Sequence, residues 1–311
     1  MPLRGRTAVL AGLLVSLSAA VAGAAGDRPA RAVTVPPVVA GWWRTDLTGV
    51  PLGTAEGANP VAAALAQQWS HHGEGQEDDY GNPAVVSAHA EGLPAPPAGG
   101  DRVIRLDHPP GDPATHRKLY KSFSERTWPG GAEPFRQRDG SPADVSGRYI
   151  VYAYVSSARL RQSDRGWINL AQLKEGYATA GGVQTSDPSW WLVLYQRDGR
   201  QFLDLAHWNE GRIAGRRADM APYLDRWVKI ELRVRQHDRI EVHLDDELFD
   251  VGRHEQYPVG RMHHAGRPGP DGTAVTREEG WIFGAGNYSD PADPGAGSLV
   301  HVGLATVLPL E

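Results

Sequence analysis

The chain of 311 residues carries no cysteine and a formal net charge of −5 at pH 7, from 32 Lys and Arg against 37 Asp and Glu. This net acidity argues against nucleic acid as the main partner, although a locally basic groove can still bind a polyanion. The lack of cysteine excludes disulfides, and a chain of this length buries an adequate hydrophobic core without them.

The N-terminus has the pattern of a secretory signal peptide. Arg4 and Arg6 precede an uncharged run rich in Ala and Leu, which ends in a small-residue site at 22–24. A membrane anchor is the alternative, because the run approaches the ~20 residues that span a bilayer. Its many Ala, Gly and Ser residues favour cleavage. We therefore expect residues 1–25 to be removed and the mature chain to be secreted, without membrane contact.

Residues 26–100 are rich in Pro, Gly and Ala and predict a loop-rich flank that joins the main domain. Within this flank, EGANPVAAALAQQW at 56–69 has a short helical period. The following segment HHGEGQEDD, at 71–79, contains residue types that ligate metals. Its spacing matches no recognised metal site, so we interpret it as a solvated loop.

From residue 101 to residue 311 the sequence is typical of β-strands. Segments such as SGRYIVYAYVSS and DRWVKIELRVRQ alternate in polarity, are rich in Val, Ile, Tyr and Trp, and are separated by turn residues. Nine or ten such segments with almost no helix predict an all-β fold, a two-sheet antiparallel β-sandwich of the jelly-roll type. The alternation of Lys229 and Glu231 with apolar residues predicts a strand with one face in solvent. We expect a monomer.

The segment WINLAQLKEG, at 167–176, is a strand whose polarity changes along its length. Alternation places the following residues on one face: Ile168, Leu170, Gln172 and Lys174. It places Trp167, Asn169, Ala171 and Leu173 on the other. A buried amide or ammonium needs a hydrogen-bonding partner, so Gln172 and Lys174 lie either at the rim of the sheet or in a functional site.

Three further segments contain candidate site residues. THRKLYKSF at 115–123 is unusually basic and offers Lys118 and Lys121 as substrate-binding residues; an edge strand protected by lysines is the alternative. Aromatic side chains that stack on sugar rings, or alternatively pack in the core, are Trp191, Tyr195, His207 and Trp208. WIFGAGNYSD at 281–290 predicts a strand that another group approaches closely, with the Tyr288 phenol at its end; a tight bend is the alternative.

Other motifs are weak or missing. SDPADPG at 289–295 resembles a calcium-binding turn without the full loop pattern, so a structural calcium is a minor possibility. His263 and His264 form no recognised metal site. The chain contains no nucleophile elbow, P-loop or dinucleotide fingerprint.

In chain order, these segments resemble the jelly-roll polysaccharide lyases, which are concanavalin A-like sandwiches that cleave uronic-acid polymers by β-elimination. Alginate lyases of this type carry R-T-E-x-R, Q-[IV]-H and Y-F-K-A-G-x-Y-N-Q strands, and this chain has HRKLYKS, AQLK and IFGAGNYSD in the same order. Gln172 and Tyr288 match the family glutamine and tyrosine, and Arg117 is the candidate for the first arginine. Lys174 replaces the histidine, Gly284 replaces the lysine, and the glutamate is missing. The strand and hairpin at DRWVKIELRV and RIEVHLDDELF are similar to those of the glucuronan and heparin-type lyases.

The resemblance implies roles for four catalytic residues. Gln172 and Arg117 would neutralise the uronate carboxylate, and Tyr288 would remove the C5 proton and protonate the C4 oxygen. Lys174 would favour the phenolate form of that tyrosine. The partner would be an acidic polysaccharide, and the elimination requires no cofactor.

Two other functions fit the same fold. A non-catalytic carbohydrate-binding or adhesion sandwich would keep the groove without a poised base. A glycoside hydrolase would need two acids on neighbouring inner positions, whereas the acids of ELRVRQ and HLDDEL are predicted on solvent-facing sides of their strands.

Overall fold

The computed structural model describes residues 43–70, 81–123, 146–163, 166–182, 184–207, 218–235, 238–252 and 271–310. All of them belong to one unit, Val33–Glu311. The first strands are β1 (Gly53–Thr54), β2 (Ala84–Ser87), β3 (Arg102–His108), β4 (His116–Phe123), β5 (Gly147–Val155), β6 (Trp167–Thr179) and β7 (Gln184–Arg197). The later strands are β8 (Arg200–His207), β9 (Ala218–Asp219), β10 (Trp227–Arg235), β11 (Arg239–Leu244), β12 (Glu247–Gly252), β13 (Val275–Ser289) and β14 (Ser298–Leu308). The helices are α1 (Pro60–Ala66) and two 3₁₀ turns, Ser157–Arg159 and Ala221–Tyr223.

The strands form two antiparallel sheets. The eight-stranded sheet has the order β1-β2-β3-β14-β5-β10-β11-β12, and the six-stranded sheet has the order β4-β13-β6-β7-β8-β9. The last strand, β14, lies between β3 and β5, and β13 lies between β4 and β6, so strands from the C-terminal part of the chain are inserted into the interior of both sheets. The predicted all-β, two-sheet antiparallel fold is confirmed.

The hydrophobic core fills the space between the two sheets. Every second side chain of a strand faces it, as Leu192 and Leu194 of β7 do, and both are fully buried. Tyr149 of β5 and Phe283 of β13 meet across the sheets with ring centroids 5.6 Å apart. Burial of each such side chain stabilises the fold by about 1.5–3 kcal/mol. The apolar side chains therefore fix which face of each strand packs in the core, and the opposite face remains for binding.

The N-terminal flank adds β1 and β2 to the eight-stranded sheet and contributes α1. This helix begins at Pro60. Asn59 caps its N-terminus, because the Asn59 side chain accepts a hydrogen bond from the Ala62 amide. The helix has seven residues and buries Val61 and Leu65. No helix in the described part of the chain is long and apolar enough to cross a membrane.

The first part of the charged face of β10 is buried, so the prediction that this face lies in solvent is wrong for Lys229 and Glu231, whereas Arg235 at the end of the strand is exposed. Glu231 is 0% exposed and Lys229 is 3% exposed. The Glu231 carboxylate accepts hydrogen bonds from Arg148 on β5 and Arg233 on its own strand, and lies 2.7 Å from the Lys229 ammonium. Mutual pairing allows these charges to leave water, which alternation of polarity within one strand does not reveal.

An irregularity in β6 changes the face that its side chains occupy. The pairing of β6 with β7 shifts register between Asn169 and Ala171, so that β6 contains one extra residue at this point. Such a bulge reverses the alternation on its far side. Asn169 and Gln172 therefore share one face, and the strict alternation predicted from the sequence is wrong beyond the bulge.

Candidate active site

Four neighbouring strands of the six-stranded sheet build a polar cluster on its outer face, the face turned away from the other sheet. The register places Tyr120 of β4 opposite Gly284 of β13, Gly284 opposite Gln172 of β6, and Gln172 opposite Trp191 of β7. Directly opposed residues of antiparallel strands share a face. The neighbouring Leu119, Leu173 and Leu192 are buried in the core, which assigns the row to the outer face.

Gly284 has no side chain, which leaves room for the side chains of the two neighbouring strands to meet across β13. A Cβ atom at this position would lie 2.8 Å from both Gln172 Cγ and Tyr120 Cε1, closer than side chains tolerate. Because glycine leaves this space empty, the two side chains meet across the middle strand. The Gln172 Nε2 group donates a hydrogen bond to the Tyr120 hydroxyl at 3.2 Å.

Asn169 completes a buried pair of amides. Its Nδ2 group donates a hydrogen bond to Gln172 Oε1, which orients the Gln172 amide with its N–H group toward Tyr120. Asn169 is 0% exposed and Gln172 is 2% exposed. The Asn169 Oδ1 atom is buried and has no hydrogen-bonding partner among the described residues, so one acceptor of the cluster is unused.

Two lysines supply positive charge next to these amides. The Lys174 ammonium lies 4.9 Å from the centroid of the Tyr120 ring, a cation–π contact. Lys118 lies on the outer face two residues before Tyr120, is 2% exposed, and its Nζ atom has no hydrogen-bonding partner within the described ranges. Burial, reinforced by the charge of Lys174, lowers the pKa of Lys118 well below its usual value of 10.5.

Aromatic side chains border the polar cluster. The Tyr288 ring packs edge to face against Trp167 at 5.0 Å, and Trp167 packs edge to face against Trp191 at 5.1 Å. Tyr288 lies opposite Asn169 in the register, so its phenol is on the same face as the amides. All three aromatic residues are partly exposed. Farther along β7, Tyr195 stacks on Phe202 with centroids 5.7 Å apart.

This arrangement provides the groups that recognise an acidic sugar. Amide and ammonium donors bind a carboxylate, exposed aromatic faces stack on sugar rings, and the phenols of Tyr120 and Tyr288 can transfer protons. The structure thus brings together five of the residues selected from the sequence: Gln172, Lys174, Tyr288, Lys118 and Trp191.

Two predicted site residues lie elsewhere. Arg117 is opposite Asn287, whose side chain donates to the Leu106 carbonyl of the other sheet, so Arg117 belongs to the inner side of β4. There its guanidinium donates to Asp112. Lys121 also lies on the inner side, and its ammonium is 5.8 Å from the centroid of the Trp43 ring.

The other residues that the sequence proposed as ligands of substrate or metal have side chains that are not described. The backbone of His207 pairs with Trp190, whose side chain is in the core, and the position of the His207 side chain is not described. Trp208 lies outside the described residues, as do residues 71–79 and the pair His263 and His264.

The calcium prediction concerns the turn that follows β13. The Asp290 carboxylate accepts a hydrogen bond from the Ala292 amide, and the Asp293 carboxylate accepts one from the Ser163 amide. In the described part of the chain, no three His, Cys, Asp or Glu side chains are grouped so that they could hold a metal ion. A structural calcium remains a prediction, for which the described residues provide no set of ligands.

Sequence reasoning missed Tyr120, Asn169 and Trp167 as site residues. Tyr120 had a usable signal, because alternation puts it on the same face as Lys118. Asn169 and Trp167 had none, because the bulge that brings them to the face of Gln172 depends on the neighbouring strands.

Comparison with known proteins gives matches among solved structures only. No family model matches the chain, and no curated protein sequence does. The endo-β-1,4-glucuronan lyase of the fungus Trichoderma reesei is 13% identical, with 78% of this chain and 96% of that chain covered and a TM-score of 0.42. An alginate lyase of Pseudomonas aeruginosa is 11% identical, with coverages of 63% and 84% and a TM-score of 0.35.

The matches also include proteins that are not lyases. The β-agarase A of Zobellia galactanivorans is 8% identical, with coverages of 68% and 73% and a TM-score of 0.32. Glucuronan and alginate lyases, the groups that the sequence motifs resemble, are therefore among the matched structures. At these identities and TM-scores the likeness is one of architecture and says nothing of the reaction.

Proposed function

We propose that the protein is a secreted polysaccharide lyase that cleaves a uronic-acid-containing polysaccharide by β-elimination on the outer face of the six-stranded sheet. The observation that carries the proposal is the buried Lys118 amino group without a partner among the described residues, on the same face of the sheet as the oriented amide of Gln172. Burial disfavours the charged form of this lysine, and an anionic ligand beside it would favour the ammonium again, so Lys118 is a binding group for such a ligand.

The first requirement of the reaction is neutralisation of the substrate carboxylate. The C5 proton of a uronate is weakly acidic, and negative charge develops on the carboxylate as this proton leaves. Lys118 and Lys174 supply positive charge, and the Gln172 amide donates a hydrogen bond, so the three groups stabilise that charge. In this assignment Lys118 takes the role that the sequence resemblance gave to Arg117.

The second requirement is a proton acceptor and a proton donor. A phenolate takes the C5 proton, the electrons of the C5–H bond form the C4–C5 double bond, and the C4–O bond breaks. The departing oxygen at C4 takes a proton from a phenol. Tyr288 is our candidate for both steps, because it lies at the edge of the cluster, where it is partly exposed.

Tyr120 is the second candidate for one of the two proton transfers. Its hydroxyl accepts the hydrogen bond from Gln172, and the Lys174 ammonium lies 4.9 Å from the centroid of its ring, so a hydrogen-bond donor and a cation both border this phenol. In the register, Tyr288 lies opposite Asn169, and Tyr120 lies one strand beyond the Gly284 that faces Gln172. The two phenols therefore lie at opposite ends of the pair of amides.

A non-catalytic carbohydrate-binding sandwich is the second candidate function, and the aromatic series of Tyr288, Trp167 and Trp191 favours it. The deciding experiment incubates the mature protein with a panel of polyuronates and follows the ultraviolet absorbance of unsaturated product ends. We expect absorbance to grow with at least one polymer, and Tyr288→Phe to abolish this signal while polymer binding is retained. Binding to the polymers without any absorbance change would favour the binding function.

A further inference from the structure

A cavity of about 440 Å³ lies at the eight-stranded sheet, away from the candidate active site. Its volume is in the range of ~300–1,000 Å³ that is usual for small-molecule sites. The walls come from residues 44–48 of the N-terminal flank, from the loop 98–102 before and into β3, and from Gly303 of β14.

The cavity arises where β14 changes its neighbour. The last pairing of β14 with β3 joins Val302 to Ile104. From Ala305 onward the same edge is occupied by the N-terminal flank, whose Thr45 amide donates to the Ala305 carbonyl at 2.8 Å. Gly303 stands between these two pairings without a side chain, so a gap stays open in the ladder.

Two arginines face this gap, and their guanidinium groups make no hydrogen bond to the described residues. Arg44 and Arg102 both line the cavity and are partly buried. Across the described ranges neither guanidinium makes a hydrogen bond or an ion pair, and the Nε atom of Arg102 is buried and unsatisfied. A buried donor without a partner costs free energy, so these guanidinium groups are available to a ligand that accepts their hydrogen bonds.

The nearby carboxylates Asp46 and Asp101 interact electrostatically with Arg44 and Arg102, but they form no ion pair with them and are hydrogen-bonded within their own turns. Asp46 accepts a hydrogen bond from the Thr48 amide. Asp101 accepts hydrogen bonds from the Ser87 hydroxyl and the His89 amide. These contacts lower the pKa of both carboxyl groups, which therefore remain acceptors. A carboxylate has about four lone-pair sites, so each can accept further hydrogen bonds from a ligand hydroxyl.

We propose that this cavity is a second binding site, which takes a carboxylate that also carries hydroxyl groups, such as a sugar acid. The guanidinium groups of Arg44 and Arg102 bind the carboxylate, since arginine presents a planar fork to such anions. Asp46 and Asp101 accept hydrogen bonds from the hydroxyls. The site does not depend on lyase activity, because it shares no residue with the polar cluster.

Calorimetric titration with sodium glucuronate tests the site, with glucose and sodium acetate as separate comparison ligands. The titrations use the Lys118→Met variant, in which binding at the candidate active site is weakened. We expect glucuronate to bind more tightly than either comparison ligand. Equal binding of acetate would overturn the role of the hydroxyls, and equal binding of glucose would overturn the role of the arginines.

Two additional changes locate the binding. Arg102→Gln removes the charged fork, and we expect it to weaken glucuronate binding about tenfold or more. Ala98→Phe fills the cavity from its exposed loop without altering a charge, and we expect it to abolish the binding. Arg235→Gln, at an exposed position on β10, is the matched control and should leave the affinity unchanged. Unchanged affinity in both the Arg102→Gln and the Ala98→Phe proteins, with circular dichroism showing them folded, refutes the site.

Discussion

Replacement of Lys118 by methionine should make the protein more stable and less active. The free protein keeps the Lys118 amino group buried without a partner among the described residues, and such a polar group costs about 1–3 kcal/mol. Methionine has a similar length and no charge. The free energy of unfolding should therefore rise by about 1–2 kcal/mol, which raises Tm by roughly 2–6 °C for a domain of this size.

The same change should reduce turnover, because the substrate carboxylate loses a charged donor. A hydrogen bond to a charged group contributes about 1.5–3 kcal/mol, so kcat/KM should fall about 10–150-fold. The assay follows unsaturated ends by ultraviolet absorbance on the polyuronate that the unmodified protein cleaves. Opposite signs for stability and activity are the signature of a binding group that is strained in the free protein.

Lys121→Met is the matched control, since Lys121 lies on the same strand but on its inner side. Its cation–π contact with Trp43 is lost, so this variant should be less stable by about 0.5–2 kcal/mol, with unchanged turnover per folded molecule. A Lys118→Met protein that is less stable than the unmodified protein and fully active would refute the reasoning. It would mean that the ammonium is satisfied and does not face the substrate.

The lowered pKa of Lys118 also predicts a pH dependence of stability. Between that lowered pKa and 10.5, the unfolded chain carries the proton and the folded protein does not. The free energy of unfolding should therefore rise with pH through this window. Denaturant titrations at several pH values should show this slope in the unmodified protein and a smaller slope in the Lys118→Met variant; equal slopes would contradict the assignment.

Two further substitutions and one pH dependence test other parts of the structure. Gly284→Ala should lower kcat/KM by at least about tenfold, because the added Cβ displaces Gln172 and Tyr120, and a Gln172 side chain that stays in place with full activity would refute this. Glu231→Gln should lower the free energy of unfolding by about 3–5 kcal/mol in denaturant titrations, because three cations lose their anion; a loss below 1 kcal/mol would contradict the pairing. Burial opposes ionisation of Glu231, but hydrogen bonds from its cationic neighbours lower its pKa from 4.5 to about 2, so this contribution should be present above pH 4.5 and be lost as the pH falls toward 2. Thermal melts at those pH values should show the loss in the unmodified protein and not in the Glu231→Gln variant.

Much of the fold could be predicted from the sequence because its main signal is local. Alternation with a period of two residues identifies a strand wherever one face is buried, and it correctly indicated an all-β sandwich. The same signal placed Lys118 and Tyr120 on one face of β4. It could also separate Lys118 from Lys121, since three positions along a strand put two side chains on opposite faces.

Other features depend on neighbours that are distant in the chain. The bulge after Asn169 reverses the alternation of β6, and it forms because β7 and β13 have particular registers against that strand. Burial of Glu231 requires Arg148 from another strand, so the alternation in β10 looks like that of a wet face. Arg117 matched a family motif by position but points to the inner side, because only the register with β13 determines its face.

The sequence by itself therefore determined the strands, the sandwich class and the residue types available for acidic-sugar chemistry. Tertiary structure alone decided which of these residues meet, because strand register and bulges follow from pairings between distant segments, such as those of Tyr120 and Gly284, which are 164 residues apart in the chain. The contact of Tyr120 with Gln172 over Gly284 shows the physical reason. Three strands must pair before side chains from two of them can occupy the space that the glycine of the middle strand leaves empty.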